Sequence, residues 1–188
     1  MLGKAAVTIW CEVAPEIRAE FDHWHAHEHM PERLSIPGFL RGSRWVGEAG
    51  YFMLYEVQDE SVLAGAAYLE RLNNPTPWSR QMMPHHRNMV RGLCRVETSS
   101  SRALGEALLT ARFSGERTLD VSAKGIVAAS LLRNIAQAVP PTTEQKLRGG
   151  DAAPDRVALV SGYDAAAVAA AAPAGATSGL YRLAYVLS

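Results

Sequence analysis

The chain has 188 residues, 48 % of them hydrophobic and 20 % charged, and its nineteen basic residues balance nineteen acidic ones. That profile is globular rather than disordered, long enough to bury a core without metal or disulfide support, and lacks the basic surplus that nucleic acid or an anionic membrane asks for. No run of eighteen apolar residues predicts a membrane span, Met1-Leu2-Gly3-Lys4 lacks a signal-peptide layout, and Cys11 and Cys94 lie in apolar runs that suit reduced thiols of a cytoplasmic protein.

Ala5 to Val13 read as a first strand, and Pro15 to His29 as a helix with its proline where proline is tolerated. Phe39 to Val46 and Tyr51 to Val57 form a predicted hairpin around Gly47-Glu48-Ala49-Gly50. Asp59 to Leu72 reads as a helix capped by Asp59 or Ser61, Asn73 to Pro77 break it, and Met89 to Thr98 form a fourth strand. After the polar joint Ser99 to Arg102, the second half reads as a strand (Ala107 to Phe113), a long helix (Asp120 to Val139) and a strand (Thr142 to Leu147). A turn at Gly149-Gly150-Asp151, a strand (Arg156 to Ser161), an Ala-rich helix (Asp164 to Ala172) and a closing strand (Leu180 to Leu187) complete it.

Both halves therefore spell β-α-β-β-α-β, the ferredoxin-like unit. One such unit leaves a sheet face bare, and two in one chain can bury those faces against each other. Val7 to Cys11, Phe52 to Tyr55 and Val157 to Val160 are apolar on both parities, as strands buried on both faces should be. The expected fold class is α+β: two βαββαβ repeats fused into a pseudo-dimeric α/β barrel with antiparallel sheets. Its parts are residues 1–98 as the repeat with the site, 99–104 as linker, and 105–188 as a degenerate partner half. Two separate α+β domains joined at Ser99 to Arg102 are the rival reading.

Dense chemistry sits on the first helix, which carries four of the six histidines. At about 100° per residue, Ile17, Phe21, Trp24 and Glu28 share a stripe facing the sheet. Burial and the helix C-terminus, fixed by Pro31, would raise the Glu28 carboxyl toward neutrality beside His29, as general acid–base catalysis requires. Equally, Glu28 can be a structural carboxylate bonded to Arg33 or a backbone N–H. His25 and His29 with Asp22, and Glu20 with His23 and His27, have the i, i+4 spacing of metal ligands. With no Cys pair, no HExxH order and no second element supplying an obvious ligand apart from His85-His86, whose position relative to the helix the sequence leaves open, a solvated histidine face accounts for them and no metal is assigned.

Pro75 to Ser79, with Trp78, reads either as a pocket mouth or as a plug over the core. Arg41, Arg44, Arg91 and Arg95 are strand cations: inward they would favour an anionic substrate, outward they are solubilising.

The run Phe21-Asp22, Trp24, Glu28-His29-Met30-Pro31-Glu32-Arg33-Leu34, then Ile36-Pro37-Gly38-Phe39, Tyr51, Leu54-Tyr55-Glu56 and Pro75-Thr76-Pro77-Trp78, resembles the dimeric α/β-barrel superfamily, in the branch of the ethyl tert-butyl ether degradation-type proteins. The resemblance spans roughly residues 5 to 98; His25 stands where a Tyr is often found. It implies a small-molecule pocket between helix and sheet, working without metal or organic cofactor. Glu28 and His29 are then the catalytic candidates, and Trp24, His25, Arg33, Tyr55 and Trp78 the substrate-binding ones. Such a fold hosts isomerases, cyclases, oxygenases and non-enzymes alike. The expectation is thus an acid–base enzyme on a small aromatic or lactone-like substrate, against a non-catalytic accessory protein of a catabolic pathway, with haem or metal binding a weaker third. The partner is a small molecule, with no nucleic acid and no membrane, in a chain that can pair further as a homodimer.

Overall fold

The computed structural model describes residues 1–135, 140–149 and 152–188. Strand β1 (Ala5–Glu12) is buried from Ala5 to Cys11 because it has no solvent face. Ala5, Val7, Ile9 and Cys11 pack under helices, while Ala6 and Trp10 point into a closed hydrophobic interior. The first helical stretch follows as a 3-10 turn (Pro15–Ile17), α1 (Arg18–Trp24), a π-helical turn (His25–His29) and α2 (Met30–Leu34). Strands β2 (Phe39–Gly47) and β3 (Gly50–Val57) form the predicted hairpin, with Gly50 at φ 100° where a side chain would be strained.

The helix expected over 59–72 is two, α3 (Glu60–Ala64) and α4 (Ala66–Asn73), interrupted at the extended Gly65; Asp59 is the cap, accepting from the Ser61 N–H. Helix α5 (Pro77–Met82) starts within the segment read as a loop: Thr76 caps it and Pro77 opens it. The second half follows strand β4 (Arg87–Ser99) with β5 (Ala107–Phe113), β6 (Ile126–Asn134), helix α6 (Thr143–Arg148), β7 (Arg156–Gly162), helix α7 (Ala165–Ala170) and β8 (Thr177–Leu187).

The eight strands close into an antiparallel barrel in the order β1-β3-β2-β8-β5-β7-β6-β4. Counted from each half's own first strand, both quartets run fourth-first-third-second, and β2–β8 and β4–β6 stitch them together. Trp10 and Phe52 from the first half and Tyr181 from the second fill the interior, with ring centroids 4.9 Å and 5.9 Å apart in succession. The Trp10 indole N–H donates to Thr110 across the halves at 3.0 Å.

Two elements of the second half differ from expectation. The helix predicted over 120–139 is β6 where its central part is described, and residues 136–139 lie outside the described residues. Ser130 and Leu132 turn one way while Ala129 and Leu131 turn the other, so this run is apolar all round because both faces are covered, not because it coils. The strand predicted over 142–147 is α6. Thr142 accepts from the Gln145 N–H while Gln145 reaches back to the Thr142 N–H, a capping box the sequence spelled out as T-x-x-Q. Gly149 ends that helix in the left-handed conformation; the rest of the turn expected at Gly149-Gly150-Asp151 lies outside the described residues. The second half thus has a helix between its second and third strands, and the connection 114–125 is not helical, so its strands repeat the first half's order but its helices do not. Among the described residues no helix is long and apolar enough to cross a membrane.

Candidate active site

The π-helical turn decides which side chains of the first helix meet the sheet. The Met30 N–H bonds to the His25 carbonyl, five residues back, so one residue is inserted into the helical frame. In an unbroken α-helix, Glu28 would follow Trp24 on the inner face; with the insertion, His29 does, and its ring sits 4.5 Å from the indole. Phe21, Trp24, His25, His29, Met30 and Arg33 are buried, and Glu28 is only partly so.

The expected inward orientation of Glu28 is therefore corrected. Its Oε1 accepts from the Thr76 hydroxyl at 2.6 Å, the Trp24 indole N–H at 3.1 Å and the Ser79 hydroxyl at 3.2 Å, and ties the first helix to the start of α5. Glu28→Ala is expected to cost about 1–2 kcal/mol in urea unfolding, because it strips a charged acceptor from three donors, one of them on the α5 cap.

Beneath the helix lies a hollow of about 30 Å³, bounded by β1, β3 and β4 and stoppered by α6. His25, His29, Arg33 and Tyr55, four of the residues singled out from the sequence, line it together. Trp24 and Trp78 do not: Trp24 is buried behind His29, and Trp78 is partly exposed, donating to Glu20 at 2.9 Å. Sequence reasoning missed Tyr68, Glu144 and Arg148, which also line it, as does His86, whose place relative to the first helix the sequence leaves open. Glu144 and Arg148 come from α6, which the Thr142–Gln145 capping box could have revealed.

His25 Nε2 lies 3.1 Å from the Tyr55 hydroxyl. Whichever tautomer is present, His25 Nδ1 and His29 Nδ1 are buried with no hydrogen-bond partner among the described residues. Burial first, then the nearby Arg44, His86 and Arg33, hold His25 well below the usual imidazole range. Burial, then Arg33, His25, His86 and Arg148, do the same for His29. Both rings are neutral at pH 7. Burial pushes the Tyr55 phenol far up, so it stays protonated and donates.

Opposite the imidazoles, Arg33 donates through Nη2 to Glu144 Oε1, with both side chains buried. Arg148 Nη1 stands 3.7 Å from the other carboxylate oxygen of Glu144. Burial is the largest influence and opposes the Arg33 charge, but Glu144 together with Tyr68, Glu32 and Tyr55 outweighs it and raises the pKa. Arg91 enters from β4 and donates to the Tyr68 hydroxyl at 2.6 Å. The other strand cations look elsewhere: Arg41 pairs with Glu56 at 2.6 Å, Arg44 with Asp22 at 3.3 Å, and Arg95 with Glu60 on the surface.

The histidine ladder does not converge on an ion site. Asp22 faces Arg44, His23 and His27 stack at 4.3 Å on the exposed side, and no group of three or more metal-type ligands forms among the described residues. Cys11 and Cys94 are buried, and burial pushes their thiols up to about 12 and about 11, so neither is a nucleophile at neutral pH.

No family model matches the chain, and no curated protein is similar to it in sequence. Solved structures are similar in fold. An anthrone oxidase-like protein superposes with a TM-score of 0.59 at 10 % identity, over 100 % of this chain and 94 % of that one. A presumptive monooxygenase of Fusobacterium nucleatum gives 0.53 at 9 % identity over 99 % and 95 %. One from Lactobacillus acidophilus gives 0.50 at 11 % identity over 98 % and 95 %. What the chain shares with these proteins, from end to end, is the architecture: an α+β fold around an eight-stranded antiparallel barrel.

Proposed function

We propose that this protein is a small-molecule enzyme of the dimeric α/β-barrel type that moves a proton in the hollow under the first helix. The observation that carries this reading is the pair of buried, neutral imidazoles whose Nδ1 atoms lack a partner, in one lining with Arg33 and Tyr55. A neutral imidazole shielded from water is a competent base. His29, whose Nδ1 has no hydrogen-bond partner among the described residues, takes the proton from an acidic C–H or phenolic O–H of the substrate. The His29 imidazolium so formed hands that proton back at another atom, which restores the neutral ring, while Tyr55 braces His25 beside it. Arg33 stabilises the enolate or phenolate that exists between the two transfers. Aromatic and thioether walls from Phe39, Met53 and Met83 suit a small planar substrate, aromatic or lactone-like.

Returning the proton at a different atom completes an isomerisation or cyclisation and needs no co-reactant. A monooxygenase, the activity in the names of two of the structural neighbours, would instead expose the same carbanion to dioxygen. The non-catalytic accessory reading uses the same hollow without turnover. The matching strand order of the halves supports reading the chain as two ferredoxin-like repeats, 1–98 and 105–188, joined by residues 99–104.

The test is a turnover screen over small enolisable and phenolic compounds, with oxygen uptake recorded. On a substrate so found, His29→Gln is expected to lose about a hundredfold in kcat while the protein stays folded. Full turnover in that variant would remove His29 from the chemistry, and ligand binding with no product from any compound would favour the accessory reading.

A further inference from the structure

A second concavity lies on the outer wall of the barrel, where β2, β8 and β5 run side by side. Its volume is about 350 Å³, within the range of about 300–1,000 Å³ usual for small-molecule sites. It shares no lining residue with the hollow under the first helix. Tyr163 and Leu180 border it and are 66 % and 42 % exposed, two of the three large hydrophobic side chains left bare among the described residues. Two such side chains around one concavity mark a binding surface. Arg182, Glu48 and Glu106 line the same groove and bring charge to it.

The strand registers show what the groove lacks. In the first half Ala5 pairs with Val57 on one side and Arg95 on the other; in the second, Ala107 pairs with Gly162 and Arg182. Two residues past Val57 and Gly162 stand the aspartate caps of α3 and α7, Asp59 and Asp164. Arg95 and Arg182 therefore hold matching places, and so do Glu60 and Ala165, each the first residue of its helix. Arg95 donates through Nε and Nη2 to the two carboxylate oxygens of Glu60, a two-point grip. Ala165 has no carboxylate to offer, and Arg182 has no ion-pair partner among the described residues. Glu48 and Glu106 are likewise without an ion-pair partner among the described residues. Tyr163, the residue before the Asp164 cap, stands where the first half has Gln58, an aromatic ring in place of an amide.

We propose that this groove binds a small apolar α-amino acid as its zwitterion. The ligand carboxylate takes on Arg182 the place that Glu60 takes on Arg95. Its ammonium answers Glu48 and Glu106, and its side chain covers Leu180 and the Tyr163 ring. A plain carboxylate would meet two glutamates as well as the arginine, and a plain amine would meet the arginine as well as the glutamates. A dipolar ion satisfies both signs, so the groove discriminates against either half of it. This site is separate from the proton transfer proposed for the hollow and stands or falls without it.

Titration calorimetry with L-phenylalanine, phenethylamine and 3-phenylpropionate tests each part of the ligand. L-phenylalanine is expected to bind the wild type, and each analogue about tenfold more weakly, since each lacks one charged contact. Ala165→Glu supplies within the chain the carboxylate that Glu60 supplies in the first half, and an acidic residue at a helix start is well tolerated. That variant should therefore fold and lose about tenfold or more in L-phenylalanine affinity, and Arg182→Gln should lose as much. No binding of L-phenylalanine to the wild type at about 1 mM overturns the proposal. So do analogues that bind as tightly as the amino acid, or an affinity that neither variant changes. Binding lost in His29→Gln and kept in Arg182→Gln overturns it by placing the amino acid in the hollow. A dimer in sedimentation that Ala165→Glu dissociates, with no amino acid bound, overturns it by giving the groove to a second copy of the chain.

Discussion

Acidification from pH 8 to pH 5 is expected to unfold this protein far more readily than its balanced charge would suggest. His25 and His29 are neutral in the fold because burial and neighbouring guanidiniums oppose protonation. In the unfolded chain both take up a proton at about pH 6.5. Below that pH and above the depressed folded values, the unfolded state binds more protons, so unfolding is coupled to proton uptake and stability falls with pH. Each histidine contributes a slope of about 1.4 kcal/mol per pH unit in that window, about 2.7 kcal/mol per unit for the pair, and none above pH 7.5 or so. Urea midpoints measured across the range give the slope directly. His25→Phe, which sits beside Phe21 with no charge to gain, should halve it. A stability profile flat down to pH 5 would show that the two rings are protonated in the fold after all.

The second large effect concerns the ion pair that closes the hollow. Among the described residues, Arg33→Met leaves the buried Glu144 carboxylate with Arg148, at 3.7 Å, as its remaining ion-pair partner. Isolating a buried charge costs about 3–5 kcal/mol, and the remaining guanidinium places this case at the lower end. Adding Glu144→Gln to Arg33→Met should cost little more and can recover stability, so a double-mutant cycle should return a coupling of about 2 kcal/mol or more. Additive single effects would mean that the two side chains do not meet in solution.

Much of this was legible in the chain. Strands with apolar residues on both parities, such as Val7 to Cys11 and Phe52 to Tyr55, announced burial on two sides, and that is what a filled barrel with helices outside imposes. His25, His29, Arg33 and Tyr55 all stand out in the sequence, and they meet at one place. Glu28 was misplaced because a fixed rotation per residue cannot anticipate a π turn, and a single extra residue passes the inner face from Glu28 to His29. The run Ile126 to Asn134 was misread because an Ala- and Leu-rich segment covered on both faces has no period to distinguish strand from helix. Glu144 and Arg148 escaped notice for a different reason. Their helix is too short for periodicity, and their role depends on which half of the barrel they reach across to, which is a property of closure rather than of local sequence.

Closure itself bears on how the chain tolerates being cut. The outer strands of each quartet, β2 and β4 on one side and β6 and β8 on the other, have their hydrogen-bonding edges covered only by the opposite quartet. Severing the backbone between Ser99 and Ala107 would therefore yield an associated pair of fragments rather than two autonomous ones. Either fragment made alone would present two unprotected ladders and the bared rings of the barrel interior, the combination that drives chains to stack edge to edge.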